Sequence, residues 1–136
     1  SHSCWNRINY HGLVDRADLP ELLCKSFAGL VVFLPLPNHI NAQPNKMFEY
    51  MSAGIPVICS NFPLWRDIIE RHQCGICVDP QDSSEIASAI DFLAQNPNEA
   101  KVMGKNGQHA VQKVYNWSSE EFKLGNLYSN LQKIKR

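Results

Sequence analysis

Leu30-Val31-Val32-Phe33-Leu34, with Pro44-Asn45-Lys46-Met47-Phe48-Glu49-Tyr50-Met51-Ser52-Ala53-Gly54-Ile55-Pro56-Val57-Ile58 a short way downstream, decides the fold. The unbroken apolar run at 30–34 suits a strand buried on both faces. Residues 37–43 read as a polar loop. Pro44 is a favoured residue for the first turn of a helix, and the pattern predicts a helix over 44–53. Gly54 supplies the C′ stop and Pro56 forbids continuation. Residues 56–60 then read as the next strand. Strand, helix and strand in this order form a βαβ unit, whose strands run parallel.

The same alternation continues on both sides. Residues 8–12 read as a strand ending in glycine, and 18–26 as a helix with Leu19, Leu22 and Leu23 at helical spacing. After the decisive stretch come a helix over 64–71 and a strand over 75–78. Asp82-Ser83-Ser84-Glu85 is a capping box ahead of Ile86, Ile90 and Leu93. Asn96-Pro97-Asn98-Glu99 is a second, starting a helix to about residue 114. Ser118 with Glu121 is a third, ahead of Phe122, Leu127, Leu131 and Ile134. The fold class is therefore α/β: a Rossmann-like parallel sheet with helices on both faces and a helical C-terminal tail.

Composition bounds the function. The chain has 136 residues, 44% of them apolar and 19% charged, so a single domain with a real core is expected. The formal net charge is zero, which disfavours nucleic acid or an anionic membrane as the main partner. No apolar run approaches the roughly 20 residues that span a bilayer. The cysteines are Cys4, Cys24, Cys59, Cys74 and Cys77; all but Cys4 sit in apolar segments. They read as reduced core residues of a cytoplasmic protein. Cys74-x-x-Cys77 lacks the second arm a zinc site needs, and a redox pair would want a helix start where Val78-Asp79-Pro80 follows.

In an open parallel sheet, ligands bind at the carboxyl ends of strands, where loops lead into helix N-termini. The candidate passage is the exit of strand 30–34, the loop with Asn38, His39, Asn41 and Ala42, and the start of helix 44–53. A helix start offers free N–H groups and the positive end of the dipole to a phosphate. Lys46 in that first turn is dipole-unfavourable unless an anion lies nearby. Glu49, three residues on, shares its face. It leans toward the helix start and accepts hydrogen bonds only, so it suits the paired hydroxyls of a ribose. Spacing alone leaves a second reading open, a solvated Lys46–Glu49 surface pair.

The residues 44–58 quoted above resemble the donor-site segment of retaining "group 1" glycosyltransferases with the two-Rossmann-domain (GT-B) architecture. The likeness extends in order to Tyr10-His11-Gly12, Trp65-Arg66-Asp67-Ile68-Ile69-Glu70, Cys74-Gly75-Ile76-Cys77-Val78-Asp79-Pro80, Met103-Gly104-Lys105-Asn106-Gly107 and Tyr115-Asn116-Trp117. It covers nearly the whole chain. It implies that residues 1–136 are the nucleotide-sugar-binding C-terminal domain of a transferase. The acceptor domain, the front of this domain and an Arg/Lys diphosphate clamp would then lie upstream of residue 1.

The resemblance further implies a set of roles. Glu49 would hold the ribose hydroxyls, the backbone at Asn45 and Lys46 the diphosphate, and Gly12-Leu13-Val14 the base. Asn41, with Ala42, stands eight positions before Glu49, where the common motif has a first glutamate within Glu-Gly-Phe-Gly. That change puts the choice of sugar in question rather than donor binding. The implied ligand is a UDP- or GDP-type sugar, with no cofactor and no metal. The acceptor would be a glycan or lipid-linked molecule reached through the upstream domain, through which the longer protein could also sit at the cytoplasmic face of a membrane.

The alternatives are a GT-B sugar-nucleotide epimerase and a non-enzymatic, flavodoxin-like interaction module. No D-x-D, G-x-x-x-x-G-K-[ST], G-x-G-x-x-G, G-x-S-x-G or H-E-x-x-H occurs. The glycine pair Gly104 and Gly107 reads as packing or a bend within a helix. His39 reads as solvated or hydrogen-bonded rather than catalytic, and Trp65 and Trp117 as packing anchors.

Overall fold

A computed structural model describes residues 18–42 and 45–113. The expected strand at 8–12, Pro44, Gly12-Leu13-Val14, Trp117 and the helix after Ser118 lie outside the described residues. The elements are α1 (Leu19–Cys24), β1 (Gly29–Val31), α2 (Pro37–Ile40), α3 (Asn45–Ala53), β2 (Val57–Ser60), α4 (Pro63–His72), β3 (Gly75–Val78), α5 (Ser83–Gln95) and α6 (Pro97–Lys113).

The three described strands form one parallel sheet in the order β1-β2-β3, with Val31 opposite Cys59 and Cys59 opposite Cys77. Alternation along β2 divides the core in two, because successive side chains point to opposite faces. Val57 and Cys59 join Met47, Met51, Trp65, Ile68, Ile69 and Val111 under α3, α4 and α6. Ile58 joins Val78, Ala89, Leu93 and Ala100 under α5. The α/β class and the two covered faces agree with the sequence reading.

Helix ends obey local chemistry. After α3, Gly54 takes φ 77°, its N–H donates to Met51 O (3.1 Å), and the Ile55 N–H donates to Tyr50 O (3.2 Å). That pair of bonds is the Schellman arrangement, which satisfies carbonyls the helix would otherwise leave open. Asp82 caps α5 by accepting from the Ser84 and Glu85 N–H groups at 3.0 and 3.2 Å, worth roughly 1 kcal/mol. In α6, Gly104 and Gly107 are buried. A Cβ on Gly104 would run into the Gly54 carbonyl oxygen, so the glycine is what lets α6 lie against the end of α3.

Two stretches differ from expectation, and one helix end is unusual. The strand expected over 30–34 ends at Val31, because the Ser60 hydroxyl replaces the ladder: it accepts from the Phe33 N–H and donates to the Phe33 carbonyl, both at 2.8 Å. Nor is that run buried on both faces. Leu30, Phe33 and Leu34 are exposed. The loop expected over 37–43 begins instead as the helical turn α2, with Pro37 in its first position. Finally, α4 ends at a non-glycine residue, Gln73, in the left-handed conformation (φ 50°). Its carbonyl accepts from Asn106 Nδ2 of α6 at 3.0 Å.

The thiols behave as packing residues. Cys59 and Cys74 are fully buried, and Cys59 Sγ lies 3.9 Å from Cys77 Sγ on the neighbouring strand. The hydrogen bond to Cys77, with burial, drives the Cys59 thiol strongly upward. Burial pushes Cys74 up to about 12. The same contact with Cys59 lowers the half-buried Cys77.

Candidate functional site

The site is assembled where the chain leaves the carboxyl end of β1. From Val32 the backbone runs without regular structure to Leu36, with a tight turn where the Leu36 N–H donates to Leu34 O at 2.8 Å. It then turns through α2, passes Asn41 and Ala42, and is helical again from Asn45. In α3, Met47 and Met51 are one turn apart and fully buried, so they fix which side faces the sheet. Tyr50 lays its ring on Gly29, where any Cβ would collide with it. Burial, and next the Glu49 charge, raise the Tyr50 hydroxyl above its ordinary range. With that side committed to packing, Lys46 and Glu49 fall on the outer flank. Lys46 is exposed and Glu49 half-buried.

The surface pair that spacing left open does not form. Among the described residues the ion pairs are Lys25–Glu21 at 3.1 Å and Arg71–Asp67 at 2.6 Å, and neither Lys46 nor Glu49 takes part in one. The Glu49 carboxylate therefore keeps its acceptor capacity.

Asn41 and Ala42 are exposed, and their local bonds are modest. Asn41 Nδ2 reaches Pro37 O only at 3.5 Å, and the Ala42 N–H donates to His39 O at 3.2 Å. His39 is held by Nδ1 to Leu34 O at 3.0 Å, and its ring lies 5.0 Å from that of Phe33. His39 is thus hydrogen-bonded, as expected. Trp65 is buried, as expected of a packing anchor, but it does more: its Nε1–H donates to Ala42 O at 2.6 Å. That contact joins residues 23 apart, and no periodicity or motif announces it. Asn41 and Ala42 precede the start of α3, and Asn45, Lys46 and Glu49 lie on that helix. Gly12, Leu13 and Val14 lie outside the described residues. No group of three or more metal-ligating side chains is present among the described residues.

The family model described as "Glycosyl transferases group 1" matches residues 1–110. The chain belongs to the group 1 glycosyl transferases. Relatives agree. O-antigen chain mannosyltransferase B of Escherichia coli is 27% identical over 124 residues, covering 91% of this chain and 30% of that protein. D-rhamnosyltransferase WbpZ of Pseudomonas aeruginosa is 26% identical over 111 residues, 79% of this chain and 28% of that protein. Among solved structures, sucrose-phosphate synthase from Thermosynechococcus elongatus superposes with a TM-score of 0.77 at 27% identity, covering 96% of this chain and 31% of that one. This group 1 chain therefore spans less than a third of the length of each of these relatives. Its family membership and its open parallel sheet, both expected from the ordered motifs, stand. No helix among the described residues is long and apolar enough to cross a membrane.

Proposed function

We propose that the chain is the nucleotide-sugar-binding part of a retaining glycosyltransferase. It would present an NDP-sugar, of UDP or GDP type, to a glycan or lipid-linked acceptor held by an upstream domain. The observation that carries this reading is the placement of Glu49 and Lys46 on the outer flank of α3, directly after the Asn41–Ala42 passage. Glu49 accepts hydrogen bonds from the ribose hydroxyls. The N–H groups at the start of α3, with Lys46, face the diphosphate. Asn41 and its loop meet the sugar, and Gly12-Leu13-Val14 line the base.

The reaction breaks the bond between the anomeric carbon and the phosphate oxygen. The electron pair leaves with the nucleoside diphosphate, and the acceptor oxygen bonds to the same carbon. This part of the enzyme contributes positioning and stabilisation of the charge that develops on the leaving group. The test is product analysis with the longer protein. A mannosyl- and a rhamnosyltransferase among the relatives make an NDP-mannose the first donor to try. The expected product is a new glycoside with the anomeric configuration of the donor. An epimerised nucleotide sugar without transfer, or inverted configuration, would contradict the proposal.

A further inference from the structure

We propose that Trp65 is a positioning residue for the donor site: its indole N–H holds the sugar-facing Asn41–Ala42 passage in register with α4. The inference rests on the reading of that passage as the sugar subsite. Trp65 lies in the first turn of α4 and is fully buried. Its ring is fixed on two sides, by Phe62 with centroids 4.7 Å apart and by Phe33 at 5.9 Å in an edge-on arrangement. A buried indole N–H must find an acceptor or lose the bond it made with water. Here the acceptor is the Ala42 carbonyl at 2.6 Å, a backbone group of an exposed segment outside any regular element.

Among the described residues the other hydrogen bonds of the segment are short-range: the Asn41 and Ala42 N–H groups to His39 O, Asn41 Nδ2 to Pro37 O, and His39 to Leu34 O. They shape the turn but do not tie it to α4. The indole does so directly at Ala42 and again through Phe33, whose ring packs against both Trp65 and His39. Two points of one loop are thus referred to one immobile side chain. A phenylalanine would fill much of the same space and leave the Ala42 carbonyl untethered.

The experiment replaces Trp65 with 3-benzothienylalanine, which keeps the bicyclic shape and puts sulfur where the N–H was. Trp65→Phe serves as the genetically encoded companion. In this chain, GDP, GDP-mannose, UDP and UDP-glucose are titrated by calorimetry. Both variants should bind the better NDP-sugar about fivefold more weakly, equivalent to roughly 1 kcal/mol. The matching NDP should change less than about twofold, or roughly 0.4 kcal/mol. Equal losses for NDP and NDP-sugar, or no loss for either, would reduce Trp65 to a packing residue. A wild-type chain that binds none of the four ligands would overturn the donor-site reading instead. A ligand-free readout keeps the two separate. Amide exchange at Asn41 and Ala42 should rise about fivefold in the benzothienyl variant, the kinetic counterpart of the same loss, while α6 stays unchanged. Unaltered exchange at Asn41 and Ala42 would overturn the tether whatever the ligands do.

Discussion

Lys46 and Asn41 are the single side chains on which the proposed reading of the site turns. Lys46 is exposed on the outer flank of α3 and has no ion-pair partner among the described residues. Its effect on a bound diphosphate is therefore screened by solvent, closer to a surface pair than to a buried one. Lys46→Ala is expected to weaken NDP binding about threefold, within the range of exposed charge pairs, and nucleoside binding hardly at all. Asn41 holds Pro37 O only at 3.5 Å, so Asn41→Asp should leave stability within about 0.5 kcal/mol of wild type. In the longer enzyme it should alter the preference among sugar donors without changing affinity for the bare nucleotide. Calorimetry of both variants with nucleoside, NDP and NDP-sugar checks this. Equal effects across the three ligands would remove both assignments. The placement of Lys46 on α3 was legible from the helix signals around it. The indole bond from Trp65 to Ala42 was not, since it joins residues 23 apart and leaves no local trace.

Among the elements, α3 and α6 depend on each other through glycine. Gly104 has the Gly54 backbone where its Cβ would be, and Gly54 itself (φ 77°) closes α3. Backbone cannot swing aside as a side chain does. Gly104→Ala should therefore cost roughly 2–3 kcal/mol of overpacking strain. Gly107→Ala, facing Cys74 Cβ at 3.2 Å and Met51 Cγ at 3.3 Å, should cost roughly 1 kcal/mol. Denaturant unfolding measures both, and a Gly104→Ala midpoint equal to wild type would show that the helices are not in close contact there. Helices and strands with strong punctuation were readable in advance: β3 spans residues 75–78 as expected, and Asp82 caps α5. The misreadings have local causes. Ser60 ends β1 early by supplying both hydrogen bonds to Phe33. The four-residue α2 is too short to carry a period.

At the scale of the whole molecule, α3 and α4 both begin at the carboxyl edge of the parallel sheet, and Asn41, Ala42, Asn45 and Lys46 lie just before or in the first turn of α3. That is where an open α/β sheet takes its ligands. A zero net charge is consistent with a small anionic ligand held by local dipoles rather than with a polyanion held by a basic surface. The diphosphate is proposed to be neutralised by backbone N–H groups and Lys46, without a bridging cation. Nucleotide affinity should then be the same with EDTA as without. A loss beyond about tenfold, roughly 1.4 kcal/mol, would contradict that arrangement.

The central claim is that Glu49 holds the donor ribose, and one calorimetric comparison addresses it directly. The best-binding NDP and its 2′,3′-dideoxy analogue are titrated into wild type and Glu49→Ala, with circular dichroism confirming the same fold. Two carboxylate–hydroxyl bonds should contribute roughly 2–4 kcal/mol together, so Glu49→Ala should lose that much affinity for the NDP. The dideoxy analogue should bind both proteins about equally, and about as weakly as the variant binds the NDP. If Glu49→Ala costs the two ligands the same, the carboxylate does not hold the ribose and the assignment of the site is wrong.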